Sequence, residues 1–202
     1  MQELDLKQIL QNTSDLKEKK VGYVAIVGRP NVGKSTFINT LIGEKIAIVS
    51  NVPQTTRNKI LAVYNDDDSQ IVFLDTPGIH KSTKVFNEQI NRQATWTLQE
   101  ADLVLYFVDT SRPAWEEEKF IKDILLDVKT PIVKVYTKSD LPTALQYNST
   151  DAHIISSMTK DGYPELLKEI KNHLTRDMML FGDDIYTNQN LNFRISEIIR
   201  EK

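Results

Sequence analysis

The 202-residue sequence contains no cysteine. Disulfides, thiolate metal sites and cysteine nucleophiles are therefore excluded, and a reducing compartment suits the chain. It also lacks an excess of positive charge: 25 Lys and Arg against 28 Asp and Glu leave a formal charge of −3. A chain-wide basic footprint for nucleic acid is ruled out, DNA is not an expected partner, and only a local patch is left open. No apolar run approaches the roughly 20 residues of a bilayer-spanning helix. The opening "MQELDLKQILQNTSDLKEKK" carries acids and has no signal-peptide core. A cytoplasmic location is the expectation. Glycine is scarce, with seven in the chain, and three of them (Gly28, Gly33, Gly78) fall in two short motifs.

What remains is ordinary for one globular domain: 40% hydrophobic and 26% charged residues. From Val21 the chain carries short continuous apolar runs, "VGYVAIVG", "QIVFLD", "ADLVLYFVD" and "PIVKVYTK". Such runs mark strands buried on both faces. Helix-length segments at 34–42, 85–100, 113–128 and 161–174 alternate with them, with Pro113 suited to a first helical position and Glu116, Glu117 and Glu118 to the first turn. "NKILAVYNDDDSQIVFLD" reads as a hairpin turning at 66–69. The fold class expected is α/β: a P-loop NTPase three-layer fold. Its sheet is mostly parallel, of about six strands with one antiparallel edge strand, and helices cover both faces. Residues 1–20 read as a polar arm or short helix, 21–177 as the main domain and 178–202 as a linker and a further helix.

"GRPNVGKST", residues 28–36, follows a buried strand and opens a helix. It fits G-x-x-x-x-G-K-[ST], the phosphate loop. Gly28 and Gly33 let the main chain curl so that the N–H groups of residues 31–36 (Asn31, Val32, Gly33, Lys34, Ser35, Thr36) face phosphate oxygens. Lys34 reaches the outer phosphates, and the Ser35 hydroxyl suits Mg2+. Asp75 ends the run "IVFL", where a carboxylate for Mg2+ belongs, and Gly78 can offer its N–H to a terminal phosphate. The polar loop 51–58, "NVPQTTRN", is placed to close over that phosphate and bring a threonine to the metal.

"VYTKSDL" supplies the base reader. One carboxylate can accept two hydrogen bonds from guanine N1–H and its exocyclic amine, a pair adenine does not offer, so Asp140 selects guanine. The Lys138 stem can lie across the base plane, and the Thr137 hydroxyl can still reach purine N7 without supplying the second contact of an amide. In "IISSMTKDG" the main-chain N–H groups of Ser156, Ser157 and Met158 can meet the guanine carbonyl oxygen. A phosphate-loop kinase or ATPase is the alternative that Asp140 and Lys138 argue against. Arg29 is expected to point to solvent and Arg57 to steady the 51–58 loop. His80, His153 and His173 have no metal-ligand spacing; Trp96 and Trp115 read as packing residues.

The order "GRPNVGKS", "QTTR", "DTPG", "TKSD", "SSM" resembles the five-motif set of translation-factor-class GTPases. The stretches "GRPNVGKSTFINTLIGEKIAIVSNVPQTTR", "DTPGIHK" and "FRISEIIREK" resemble the Era family in particular. The resemblance implies a GTP/GDP switch with Mg2+, and slow hydrolysis. It implies a C-terminal KH-type RNA-binding domain, with small-subunit ribosomal RNA and the 30S subunit as partners, a monomeric state and peripheral contact with the inner face of the cell membrane. It makes Thr56, not Thr55, the metal-ligating threonine of "QTTR". It gives Asn31 a role in binding K+, whose charge replaces a catalytic arginine. Lys34, Thr56, Gly78 and Asn31 become the catalytic set. Ile79 cannot polarise water, so attack does not depend on the residue after Gly78. Two departures stand out: Thr137 where the family has Asn, and Ser157 where it has Ala. The chain ends inside what resembles the first KH helix, before any G-x-x-G, and little RNA affinity is expected from it alone. A binding module of another class, a GTP-sensing scaffold in ribosome assembly with negligible hydrolysis, is the rival.

Overall fold

The computed structural model describes residues 18–44, 60–75, 98–113, 116–145, 150, 152–182 and 185–187; for Ile60, Leu61 and Asp75 it describes the main chain alone. The elements run β1 (Lys19–Gly28), α1 (Lys34–Ile42), β2 (Ile60–Asn65), β3 (Ser69–Asp75), β4 (Leu103–Asp109), α2 (Glu116–Leu126), β5 (Ile132–Thr137), β6 (His153–Ile154), α3 (Tyr163–Asn172) and β7 (Thr175–Asp177). The strands form one sheet in the order β2-β3-β1-β4-β5-β6. β1, β3, β4, β5 and β6 are mutually parallel, and β2 is the antiparallel edge.

Alternate residues along each strand feed two cores. Val24 and Ile26 of β1 face Phe37 and Ile38 of α1 and Leu166 and Ile170 of α3. Ala25 and Val27 face the opposite way, toward Ile121 and Leu125 of α2 and Leu98. Both faces of β1 and β4 are thus covered, which is why these strands read as unbroken apolar runs. The Leu and Ile spacing expected to face inward from 161–174 does so: Leu166, Ile170 and Leu174 are all buried. Phe37 ties the layers together, its ring edge-on to Phe73 at 5.8 Å and to Phe107 at 5.3 Å, and tilted against Tyr163 at 5.1 Å. α1, the helix that carries the phosphate-loop motif, is thereby anchored to the sheet and to α3.

Three features differ from the sequence expectation. A seventh strand, β7, pairs antiparallel with Lys19–Val21 of β1. Its residues are all exposed and carry no apolar signal. It exists because β1 starts at Lys19 whereas β4 begins pairing with β1 only at Val24, leaving a free edge. Pro113 precedes α2 instead of opening it; the helix starts at Glu116, with all three glutamates in its first turn. α3 begins at Tyr163, after Gly162 with φ 75°, and stops at Asn172.

The β2–β3 turn closes on Asp66. Its Oδ1 accepts hydrogen bonds from Asp68 N at 3.0 Å, Ser69 N at 2.8 Å and Ser69 Oγ at 2.9 Å. Its Oδ2 lies 2.7 Å from Lys171 Nζ on α3.

Candidate functional site

Because the central strands are parallel, their carboxyl ends share one edge of the sheet, the place where open α/β sheets take ligands. Gly28, Asp75, Asp109 and Thr137 are the last residues of β1, β3, β4 and β5. The phosphate-loop motif turns from β1 into α1 through two left-handed residues, Asn31 at φ 62° and Gly33 at φ 105°. Gly33 adopts this conformation without the Cβ penalty, and Asn is among the side chains that tolerate it. Gly28 is required for another reason: a Cβ there would stand 2.7 Å from the Phe107 carbonyl oxygen and 2.9 Å from Val32 Cγ1. Lys34, Ser35 and Thr36 form the first turn of α1. The buried Lys34 ammonium donates to the carbonyls of Gly28 at 3.2 Å and Arg29 at 3.0 Å, holding its charge over the loop.

The base-reading segment is tied to this loop. Thr137 is buried, and its hydroxyl donates to the Val32 carbonyl at 2.7 Å across 105 residues of chain. Val108 O is a second, longer acceptor for the same hydroxyl at 3.4 Å, so in this structure the proton is directed into the protein, toward the loop and β4. Thr110 Oγ1 donates to the Thr137 carbonyl at 2.9 Å, and Ser139 N to Ile155 O at 3.3 Å, fastening the segment to β4 and β6. Lys138 takes a left-handed conformation at φ 61°. Its ammonium lies 2.7 Å from Asp109 Oδ2. Burial pushes the Asp109 carboxyl up, but hydrogen bonds from Lys138 and Ser111 outweigh it and hold the group below the usual carboxylate range.

Asp140 is exposed at the edge of this frame. Its Oδ1 accepts from Ser156 Oγ at 2.6 Å. Ser156 is fully buried, and its oxygen also accepts from Met158 N at 3.1 Å and Thr159 N at 3.2 Å. Ser156 N donates to Asp161 O at 3.1 Å. Of the three candidate N–H groups, those of Ser156 and Met158 are thus engaged within the turn. Ser157 Oγ accepts from Tyr163 Oη at 2.9 Å.

Arg29 does not point to solvent. It is buried, with NH1 donating to Pro113 O at 3.3 Å and Nε 3.3 Å from Glu118 Oε1, an ion pair not aligned as a hydrogen bond. Glu118, also buried, accepts from the Tyr106 hydroxyl. Burial raises the Tyr106 pKa, and the Glu118 carboxylate raises it further. Two buried charges require each other, which draws Arg29 inward.

The structure therefore brings together Asn31, Val32, Gly33, Lys34, Ser35, Thr36, Thr137, Lys138, Asp140, Ser156, Ser157 and Met158 at one sheet edge. Register sets the Asp75 main chain beside Ile26, two residues before the loop. Thr56, Gly78, Ile79 and Arg57 lie outside the described residues. Sequence reading passed over Asp109 and Thr110. The signal was present: "LVLYFVD" ends in an acid as "QIVFLD" does. Among the described residues, no cluster of His, Cys, Asp or Glu could hold a metal ion by itself.

A family model described as 50S ribosome-binding GTPase matches residues 23–138, from β1 through Lys138. The chain belongs to that family. GTPase Era of Treponema denticola is 42% identical over 194 residues, covering 90% of this chain and 66% of the relative. GTPase Era of Thermotoga maritima is 38% identical over 195 residues, covering 91% and 65%. A crystal structure of Era in complex with MgGDPNP and nucleotides 1506–1542 of 16S ribosomal RNA superposes with TM-score 0.82 and 34% identity, over 91% of this chain and 66% of that one. An Aquifex aeolicus Era variant bound to GDP and AlF4− gives TM-score 0.78 and 34% identity, over 90% and 66%. The chain spans just under two thirds of the length of the curated relatives it matches. The P-loop GTPase fold is common to all of them.

Proposed function

We propose that this chain binds GTP and GDP and hydrolyses the GTP γ-phosphate anhydride, as the switch domain of an Era-type factor in small-ribosomal-subunit assembly. The observation that carries this reading is the Thr137–Val32 hydrogen bond, 2.7 Å long, which couples the phosphate loop to the segment bearing Asp140. A cradle for phosphates and a carboxylate for guanine then share one rigid frame. ATP carries no N1–H and amine pair for Asp140, which disfavours the kinase or ATPase alternative.

Phosphoryl transfer asks the protein mainly for positioning and charge neutralisation. The loop N–H groups and Lys34 orient the phosphates, Asp140 holds the guanine edge, and Ser157 N–H meets its carbonyl oxygen. Ser35, Thr56 and Asp75 would hold Mg2+, which neutralises phosphate charge when bound. Asn31, left-handed at the loop's crown, would contribute to a K+ site. Thr56 and Gly78 would sense the terminal phosphate, so that loops 51–58 and 79–86 respond to hydrolysis.

The family description names the 50S subunit, whereas the similar Era structure holds 16S ribosomal RNA. The motif resemblance and the Era structure that holds 16S ribosomal RNA favour the small subunit. A cytoplasmic location, with access to the inner membrane face, fits this role. Among the described residues no helix is long and apolar enough to cross a membrane.

Calorimetry with Mg2+ tests the reading. GDP and GTP should bind and ATP should not, and Lys34→Ala should weaken GTP at least 100-fold. Single-turnover phosphate release should be slow and faster in KCl than in NaCl. Absence of release would favour the GTP-sensing scaffold, and equal rates in the two salts would remove the K+ role.

A further inference from the structure

Asp109 has no place in the phosphate cradle or the metal set, yet it is 2% exposed and carries four contacts. Oδ1 accepts from Ser111 N at 2.9 Å and Ser111 Oγ at 2.6 Å. Oδ2 lies 2.7 Å from Lys138 Nζ and 3.7 Å from Arg112 Nε, the last on a half-exposed side chain that solvent screens. Lys138 is fixed at its other end too. Its left-handed main chain is strained for a residue with a Cβ, and such strain persists only where neighbours enforce it. Leu141 N donates to the Lys138 carbonyl at 3.0 Å, and Thr110 Oγ1 approaches the same oxygen at 3.4 Å. The four methylenes of Lys138 are thus strung between an anchored main chain and an anchored ammonium, beside Asp140.

We infer that Asp109 is a positioning residue for the base pocket: it holds the Lys138 stem as a preformed apolar rail for the flat face of the purine. A lysine left loose must give up its rotamer freedom when a ring settles on it. One already tethered at both ends binds the ring without that loss, which is affinity gained by preorganisation. The inference deepens the nucleotide reading above and rests on it.

Asp109→Asn keeps an acceptor for Ser111 but presents an NH2 group, or a neutral oxygen, to Lys138. The tether is lost while volume and burial are kept. GDP affinity should fall about tenfold in a displacement assay with fluorescently labelled GDP. Pyrophosphate, which has no base, should displace the label with an inhibition constant within twofold of the parent's. In a Lys138→Met background, which keeps the stem and removes the ammonium, Asp109→Asn should have no further effect on GDP, because the cycle reports only what passes through Lys138. Equal weakening of GDP and pyrophosphate, or additive effects of the two substitutions, would show a merely structural carboxylate and overturn the inference. An unchanged GDP affinity in Asp109→Asn would overturn it as well. A parent protein that fails to bind GDP would instead overturn the nucleotide reading, and this inference with it.

Discussion

Single side chains decide how the site is held. Thr137 occupies the position where the family motif has Asn, and its proton goes to the Val32 carbonyl at 2.7 Å. Thr137→Val should therefore lower GDP affinity several-fold through the loop and cost about 1 kcal/mol of stability. The ratio of GDP to 7-deaza-GDP affinity should stay the same, since this residue does not read N7. A ratio that collapses in the variant would mean that the hydroxyl turns to the base. Arg29 makes the complementary case. Among the described residues, removing it leaves Glu118 buried with the Tyr106 hydroxyl as its hydrogen-bond partner. Arg29→Met should cost about 3–5 kcal/mol in urea unfolding, and adding Glu118→Leu should recover most of it, because a buried charge is costly once its partner is gone. A loss below 1 kcal/mol would return Arg29 to the surface role read from sequence.

At the level of elements, the β2–β3 hairpin is held by a carboxylate whose hold depends on pH. Burial raises the Asp66 carboxyl, but hydrogen bonds from Lys171 and Ser69 prevail and leave its pKa below the ordinary value. A depressed folded pKa stabilises the protein above the unfolded pKa of about 3.9, and that stability is lost as pH falls through the folded value. Urea midpoints should therefore decline below about pH 4. In Asp66→Asn the unfolding free energy at pH 7 should be lower by about 1 kcal/mol, a figure reduced for the partial exposure of the Lys171 pair, and the acid decline should be shallower. An identical acid limb in the variant would place the titrating group elsewhere. α1 is held differently, by Phe37 among Phe73, Phe107 and Tyr163. Phe37→Ala should destabilise by about 3–5 kcal/mol, as large cavities in aromatic cores do. It should also weaken GDP, since the helix that begins at Lys34 would lose its seat.

Across the whole molecule, parallel strands bring residues far apart in sequence to one edge. The loop at 28–36, the strand end at 137–140 and the turn at 156–158 meet because β1, β4, β5 and β6 run the same way. The same order leaves β7 at the opposite end, where it pairs with the start of β1. Any partner that senses the nucleotide must touch the carboxyl edge or the segments joined to it.

Much of this was legible from residues alone. Unbroken Val and Ile runs fit strands buried on both faces, and their alternation with helix-length segments puts helices on those faces, so the α/β sheet followed from the two together. Gly28, Gly33, Lys34 and Ser35 sit at fixed spacing because a curled main chain and a helix start demand it, and the spacing identified them. Asp140 was singled out because guanine has one donor pair that a carboxylate matches, and the structure sets it beside Ser156 at the same sheet edge. The partners of Thr137, Arg29, Asp109 and Ser156 were not legible. Each has several possible acceptors or donors in an extended chain, and only packing brings one of them within 3 Å or so. Local chemistry follows from neighbours in sequence; the destination of a buried proton or charge depends on which distant strand the fold sets beside it.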